Sequence, residues 1–527
     1  MGPSRGKVDP GGRVVKPAVS RLVSNTAWNS VGRVIGISTS VVLTPYLLAK
    51  LGQEAFGLWA FSRLLLGYLS LLDLGIQGSL VRQIAHSLPD KHPERFSRIL
   101  SSSFYTFLGM GVLLLPVTLW LAPIATRAAV EWRPSLLSPG MIDEGVFVVT
   151  LTASTIFFWI AATSVGATLP GVQRMDLSNK LGMFSSTLML TGSLGLVESG
   201  YGVSSLIILS LLLRAFDSLI CFILIRKLYP LLRLTTANFD LETLKELYSF
   251  AWRTQVSRLG ELFSTTVDRL FVGVFGGALA LGRYHPALQI VNQARLLPPV
   301  IISAMLPYAS ELSAQKDRHA LLRLYFEGSR YLAFSTFLLL GFLIATAPLL
   351  VEAWLGPGYA ETALWVQIFC AGNLFSGPIA LGGLLAQAMG YPGLQARSST
   401  LMAAVNMIFA PLGYFLGGIT GLTIGGSTAI VIGSAYFFIS LHRTIQVSAL
   451  KVIRECFAGP AAWLGIATVS VWYAGGFWAE DANGRFEAAL RLVMLGLVYA
   501  PLAALAAKQL DLVDRPVAII SKFFSRS

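Results

Sequence analysis

The sequence predicts an all-α, polytopic membrane protein, and three observations support this fold class. Hydrophobic residues make up 54% of the 527-residue chain and charged residues only 13%, which is too few charges to cover a soluble globule of this size. About fourteen apolar runs approach the ~20 residues that a helix needs to cross the hydrocarbon core. The connections between the runs are short, and most basic residues fall in every second connection.

Each apolar run predicts one transmembrane helix, and the helices are expected to form two pseudo-symmetric six-helix bundles plus two C-terminal helices. The approximate spans are 27–48, 57–80, 100–124, 144–168, 181–199, 203–225, 249–275, 284–307, 331–351, 361–388, 399–417, 422–441, 457–475 and 487–507. The predicted domains are a basic cytoplasmic tail (1–26), an N-terminal six-helix lobe (27–225), a cytoplasmic linker (226–248), a C-terminal six-helix lobe (249–441) and a final segment (442–527) with the two additional helices and a cytoplasmic tail.

The basic residues predict the orientation. Of the 40 Lys and Arg residues, 27 fall in connections on one side of the membrane, five on the other and eight within spans. Because cytoplasmic loops carry the excess of Lys and Arg, both termini are expected in the cytoplasm. The formal charge of +13 is then spread over loops that face anionic headgroups, which argues against nucleic acid as a partner.

A short pattern occurs twice in the chain. Gly52, Gly57 and Trp59 have the same spacing as Gly277, Gly282 and Tyr284, at a constant offset of 225 residues. Each copy lies on the outer side, between the first two spans of one predicted lobe. Six spans separate the copies, which is typical of a parallel internal repeat in transporters.

Arginines inside the spans point to an anionic ligand. A guanidinium at membrane depth costs at least ~2.5 kcal/mol, so eight of them suggest a function within the membrane. They outnumber the intramembrane carboxylates by four. The eight are Arg33, Arg63, Arg214, Arg253, Arg258, Arg269, Arg295 and Arg491.

Polar residues lie along one face of the first two spans of each lobe. These spans are expected to line a hydrated cavity between the lobes. The predicted substrate-binding residues are Asn29, Arg33, Arg63, Arg258, Arg269, Gln289, Asn292 and Arg295. Asp73, Glu261 and Asp268 are predicted to couple transport to proton or sodium entry. Arg214 and Asp217 are three residues apart on one helix, and we expect them to neutralise each other as a buried pair.

The sequence offers no constellation for catalysis or metal binding. Its three cysteines form no CxxC pair, its five histidines are scattered, and no nucleophile–base arrangement or phosphate-cradling loop occurs. We therefore predict a protein that is not an enzyme, with no cofactor and no metal.

Several segments resemble a known family. NTAWNSVGRVIG, LTPYLLAKLGQEAFGLWAF and LLDLGIQGSLVRQIA in the first lobe, with VDRLFVGVFGGALALGRYHPALQIVNQ and LPPVIISAMLPYASEL in the second, look like the polysaccharide-repeat (O-antigen type) flippases of the multidrug/oligosaccharidyl-lipid/polysaccharide exporter superfamily. The resemblance implies two six-helix bundles and a flippase that moves an isoprenoid-pyrophosphate-linked oligosaccharide from the cytoplasmic to the outer leaflet by alternating access. It also implies a location in the bacterial inner membrane, with membrane lipids and polysaccharide polymerases as partners.

Three alternatives stay open from the sequence. A lipid II-type flippase of peptidoglycan precursors also carries arginines on its first, second and eighth spans, which Arg33, Arg63 and Arg295 resemble. A cation-coupled multidrug exporter belongs to the same superfamily, although it would be expected to favour acidic or aromatic cavities. The third alternative is a non-transporting subunit of a polysaccharide assembly complex.

Overall fold

The secondary structure of the described part of the computed structural model is entirely helical, which confirms the all-α prediction. The structure describes residues 18–73, 75–87, 92–295, 309, 312, 315, 317–391, 393–479 and 484–512, without the side chains of 18–27, 29, 30, 250, 252–265 and 476–479. No strand occurs among these residues. The α-helices are α1 (Ala18–Leu69), α2 (Ile76–Ser87), α3 (Pro93–Trp132), α4 (Ile142–Gly166), α5 (Thr168–Gly171), α6 (Met175–Glu198), α7 (Val203–Leu228), α8 (Leu241–Ala294), α9 (Arg318–Leu355), α10 (Ala360–Ile379), α11 (Leu381–Ala388), α12 (Gly393–Ile445), α13 (Ala449–Val452), α14 (Ala458–Ala479) and α15 (Arg485–Gln509).

The protein is a multi-pass membrane protein. Nine helical segments of the described part are long and apolar enough to cross a bilayer. Some are much longer than one crossing requires: the 53 residues of α12 would extend about 80 Å as a straight helix, against ~30 Å of hydrocarbon. The number of crossings therefore exceeds the number of such segments, and the count of fourteen stays a prediction.

Two glycines interrupt two of the three longest helices, α1 and α8, in the same way. Gly52 in α1 has φ 84° and ψ 171°, and Gly277 in α8 has φ 75° and ψ −174°. A side chain is strained at such a φ, whereas glycine adopts it readily. These are the first glycines of the two sequence copies, so the same local bend occurs 225 residues apart.

The helix bounds follow the same offset. α1 ends at Leu69 and α8 at Ala294; α3 begins at Pro93 and α9 at Arg318. Both pairs are separated by 225 residues. The two copies thus keep the same spacing in the chain from the glycine bend to the beginning of the next long helix.

The predicted span 57–80 is not one continuous helix, and its bounds are wrong in this respect. α1 ends at Leu69, a 3-10 turn covers Ser70–Asp73, and α2 begins at Ile76. The backbone N–H of Gly75 donates to Oδ1 of Asp73 at 2.8 Å, and Gly75 has φ 80°. This Asp-x-Gly turn gives the carboxylate a local backbone donor that competes with helix continuation.

α12 is a helical hairpin. Its backbone reverses at Gly417 and Gly418, and Ser398 of the first arm donates to the carbonyl of Gly433 in the second at 2.8 Å. The arms approach so closely that a Cβ built on Gly413 would overlap the carbonyl oxygen of Gly421. Two antiparallel helices therefore pack with almost no side chain between their backbones.

Gly413→Ala is expected to destabilise the protein by about 1–3 kcal/mol, because the added methyl group can be accommodated only if the two backbones separate. Thermal unfolding of the purified protein in detergent would measure the change. Gly465→Ala in α14 is the matched control, since a Cβ there meets open space and alanine favours a helix over glycine. Equal melting temperatures for the two variants would contradict this account.

The chain forms two compact units, Met1–Leu259 and Gly260–Ser527. The boundary lies within α8, which begins at an Asp240 N-cap whose carboxylate accepts from the side chain and backbone of Thr243. These hydrogen bonds, led by that of the Thr243 hydroxyl, hold the pKa of Asp240 below its usual value. The predicted lobes, 27–225 and 249–441, stay a prediction.

The two C-terminal helices pack against α9 in the second unit. The Tyr499 hydroxyl of α15 donates to the carbonyl of Leu338 at 3.0 Å. The Arg485 guanidinium donates to the carbonyl of Leu355 at 2.7 Å, so it satisfies a carbonyl at the C-terminal end of α9.

Candidate substrate site

Two predicted substrate arginines are exposed on α1, in the first unit. Arg33 forms no ion pair within the described part of the chain. The guanidinium of Arg63 lies over the ring of Trp59, 5.0 Å from its centroid, and Trp59 is itself buried. This cation–π contact holds the Arg63 guanidinium in a defined orientation.

Asp73, which is predicted to take part in ion coupling, also stabilises a backbone turn. Its side chain is 2% exposed and accepts the Gly75 hydrogen bond that closes the turn between α1 and α2. The carboxylate also interacts electrostatically with Tyr248 at the beginning of α8. Its part in ion coupling stays a prediction.

In the second unit, Asp268 occupies a buried polar position. Its side chain is 8% exposed, and the amide of Asn406 in α12 donates to its Oδ1 at 2.7 Å. Gly426 on the other arm of α12 lies so close that a Cβ there would be 2.9 Å from Oδ2. The carboxylate is therefore enclosed by both arms of the hairpin.

Two arginines lie within electrostatic range of this carboxylate. Arg269 and Arg295 both interact electrostatically with Asp268, and with each other. The structure thus brings together three predicted site residues, Asp268, Arg269 and Arg295, which we call the Asp268 cluster. With one carboxylate and two guanidiniums, the cluster has one positive charge in excess, so it can accept an anion.

The polar groups beside the cluster are incompletely satisfied. The buried Tyr284 hydroxyl faces Thr423, and it interacts electrostatically with Asp268, but it forms no hydrogen bond at normal geometry within the described residues. The Oδ1 atom of Asn406 also lacks a partner there. Unsatisfied buried groups are costly in a rigid core, so they are expected where a ligand or water binds.

The side chain of Arg295 also borders a cavity. It lines a cavity of about 160 Å³ together with Ser335 and Thr336 of α9 and Asn373 and Ser376 of α10. Hydroxyl and amide groups therefore surround this guanidinium on the side of α9 and α10. They can solvate an anion that pairs with it.

The remaining predicted site residues are less defined. Gln289 is buried and Asn292 is half-buried on the second arm of α8. The side chains of Asn29, Arg258 and Glu261 lie outside the described residues, so their proposed roles stay predictions.

Arg214 and Asp217 do not form the predicted ion pair. The Arg214 guanidinium lies over Trp159 of α4, 4.3 Å from the ring centroid, and Asp217 accepts a hydrogen bond from Ser185 of α6. Within the described residues, no salt bridge joins them. The two groups still interact electrostatically, but each also has a partner on a neighbouring helix.

Sequence reasoning missed Asn406 as a site residue. It is 2% exposed and lies 138 positions from Asp268 along the chain. The sequence did contain a signal, because Asn406 is an amide within an apolar span. Such a buried amide needs a hydrogen-bond partner. The identity of that partner depends on the tertiary fold.

Long apolar helices, one of them folded into a hairpin, define a multi-pass membrane protein. The structure is similar to a lipid II flippase MurJ in an inward closed conformation, with a TM-score of 0.66 and 15% identity over 93% of this chain and 99% of that one. At this identity the likeness shows the fold alone.

The chain belongs to the family described as "Polysaccharide biosynthesis protein", whose model matches residues 47–364. The match covers both sequence copies of the glycine pattern. It also includes the whole Asp268 cluster, whereas Asn406 lies beyond it.

Two relatives are named as transporters of glycans. A "Putative O-antigen transporter" of Shigella flexneri is 23% identical over 297 residues, which cover 56% of this chain and 68% of the relative. A "Probable low-salt glycan biosynthesis flippase Agl15" of Haloferax volcanii is 21% identical over 412 residues, or 77% of this chain and 80% of the relative. These similarities are those of transporters rather than of enzymes.

Proposed function

We propose that the chain moves an isoprenoid-pyrophosphate-linked oligosaccharide repeat unit from the cytoplasmic to the outer leaflet by alternating access. The observation that carries this proposal is the excess of guanidinium over carboxylate in the Asp268 cluster. A pyrophosphate carries the complementary charge, and the planar fork of arginine suits its oxygens. The two relatives are named as an O-antigen transporter and a glycan biosynthesis flippase, which supports the same substrate class.

The proposed cycle begins at the cytoplasmic leaflet. Pyrophosphate pairs with Arg269 and Arg295, while the glycan occupies a hydrated space and the isoprenoid chain stays in lipid. Rocking of the two halves then exposes the site to the outer side. Arg33 and Arg63 are proposed to contact the same substrate, together with Asn29, Arg258, Gln289 and Asn292.

Asp268 is proposed to couple transport to proton or sodium entry, with Glu261 and Asp73 as further candidates. When Asp268 is charged, it competes with the substrate for Arg269 and Arg295. A proton or sodium ion that neutralises the carboxylate would free both guanidiniums for pyrophosphate. Binding of the ion and of the substrate would then favour each other.

The proposed location is a bacterial inner membrane, with both termini in the cytoplasm. The 27-to-5 distribution of basic residues between the two sides supports this orientation. Polysaccharide polymerases are the proposed protein partners, because exported repeat units must next be joined.

A peptidoglycan precursor is the second candidate substrate. Lipid II also carries a pyrophosphate on an isoprenoid, so the same guanidiniums can bind it, and the structure is similar to a lipid II flippase. The two candidates differ in the glycan rather than in the anion.

Reconstituted vesicles would test the proposal. With an inward proton or sodium gradient, the purified protein is expected to expose the labelled lipid-linked oligosaccharide of its native host to a membrane-impermeant lectin on the opposite leaflet. Labelled lipid II and a cationic dye in parallel vesicles distinguish the alternatives. Dye efflux without movement of either lipid would contradict the proposal, and movement of lipid II alone would select the second candidate.

A further inference from the structure

A polar cavity of about 410 Å³ lies within the first unit, between α2, the C-terminal end of α4, α6 and α7. Its volume is in the range of small-molecule sites, ~300–1,000 Å³. None of its lining residues belongs to the substrate set predicted from the sequence. Its polar side chains are Gln77, Thr163, Ser178, Arg214, Asp217 and Ser218.

The two charged side chains of the cavity are oriented by different partners. The Arg214 guanidinium lies over Trp159, a cation–π contact that does not itself require its N–H donors. Asp217 accepts from Ser185, which occupies only one of about four lone-pair positions on a carboxylate. Both groups can therefore form further hydrogen bonds with a guest.

The charges of the cavity select against ions. Asp217 would repel a phosphate, and Arg214 would repel a cation, whereas together they contribute no net charge. A neutral group that both donates and accepts hydrogen bonds satisfies both residues at once. Vicinal hydroxyl groups of a sugar ring have this property, since each hydroxyl is a donor and an acceptor.

We infer that this cavity binds one sugar ring of the lipid-linked glycan, while the pyrophosphate binds elsewhere. The inference rests on the proposed function, and it assigns glycan recognition to Arg214 and Asp217 of the first unit. Hydrogen bonds to charged groups are stronger than those between neutral groups, so these two residues are expected to dominate the recognition of the ring.

Three glycines leave the cavity open. Gly78 of α2, Gly166 of α4 and Gly182 of α6 line it, and a Cβ built on any of them meets no atom within 4 Å. A larger side chain at these positions can therefore enter the cavity without displacing the fold. Gly182 lies in a helix, where leucine is also the better helix former.

Binding by the full-length protein in lipid nanodiscs provides the test, with Gly182→Leu as the blocking variant. Gly195→Leu is the matched control, because Gly195 lies in the same helix, faces open space and does not line the cavity. The probes are bare polyprenyl pyrophosphate and the lipid-linked oligosaccharide fraction of the native host. Gly182→Leu is expected to weaken binding of the glycan-linked probe about tenfold, as for loss of one charge-assisted hydrogen bond, and to spare the bare lipid.

Asp217→Asn provides an independent variant that preserves shape and the Ser185 contact. It is expected to weaken only the glycan-linked probe. Equal affinity of the wild type for both probes, or unchanged binding of the glycan-linked probe by both variants, would overturn the inference while leaving the proposed function in place. A wild type that binds neither probe would overturn the proposed function and the inference with it.

Discussion

Export is expected to fall about a hundredfold or more when Arg269 is replaced by alanine, while the abundance of the protein in the membrane stays normal. Without Arg269, the charges of Asp268 and Arg295 balance, and the cluster no longer attracts pyrophosphate. Loss of one partner from a desolvated charge pair typically costs ~2–5 kcal/mol of binding. The buried carboxylate keeps its hydrogen bond from Asn406 and its electrostatic interaction with Arg295, so the fold is not left with an unpaired acid.

The measurement compares glycan movement in vesicles with the amount of protein in the membrane. Arg485→Ala is the contrasting control, because Arg485 donates to the carbonyl of Leu355 at a helix end and is expected to affect stability rather than transport per molecule. If the abundance of Arg269→Ala falls in step with its activity, Arg269 is a structural residue and its substrate role is wrong.

Charge selectivity at Arg63 is the second large effect that we expect. Arg63→Lys keeps the charge but loses the bidentate fork and weakens the stacking on Trp59, so transport of the lipid-linked glycan should fall about tenfold. Arg63→Glu places a negative charge opposite the phosphates, so transport should become undetectable. If the site binds an anion, transport must decrease in the order wild type, Arg63→Lys, Arg63→Glu.

The assay follows the labelled glycan and a cationic dye in the same vesicles. Lys50 provides the matched control: it lies on the same helix and pairs with Glu198 at 2.9 Å, and its replacement by alanine should leave transport unchanged. Tolerance of glutamate at position 63, together with improved dye efflux, would favour a cation exporter.

The repeat could be predicted from the sequence because it depends on local backbone chemistry. Gly52 and Gly277 adopt nearly the same positive-φ conformation, which few residues other than glycine adopt readily. The break before Gly75 also had a local signal, in the Asp-x-Gly order. The apolar run around it is long enough for a span, and this length favoured a continuous helix in the sequence interpretation.

The charged contacts could be predicted only in part. Arg269 and Asp268 are neighbours in sequence, and their proximity needs no tertiary information. By contrast, Asn406 reaches Asp268 from a distant hairpin, and Arg214 lies over Trp159 of a neighbouring helix. Spacing within one helix shows which groups can meet, whereas the neighbouring helices determine which of them do.

The constant offset of 225 residues also bears on the history of the chain. A duplicated gene segment begins as two copies of equal length, and insertions or deletions survive afterwards only where the fold tolerates them. No net change of length separates the copies from the glycine bend to the beginning of the long helices α3 and α9. After those helices, the connection spans residues 133–141 in one copy and only 356–359 in the other. The segment 133–141 has therefore already accepted a change of length, which makes it the natural position for an inserted affinity tag or fluorescent reporter.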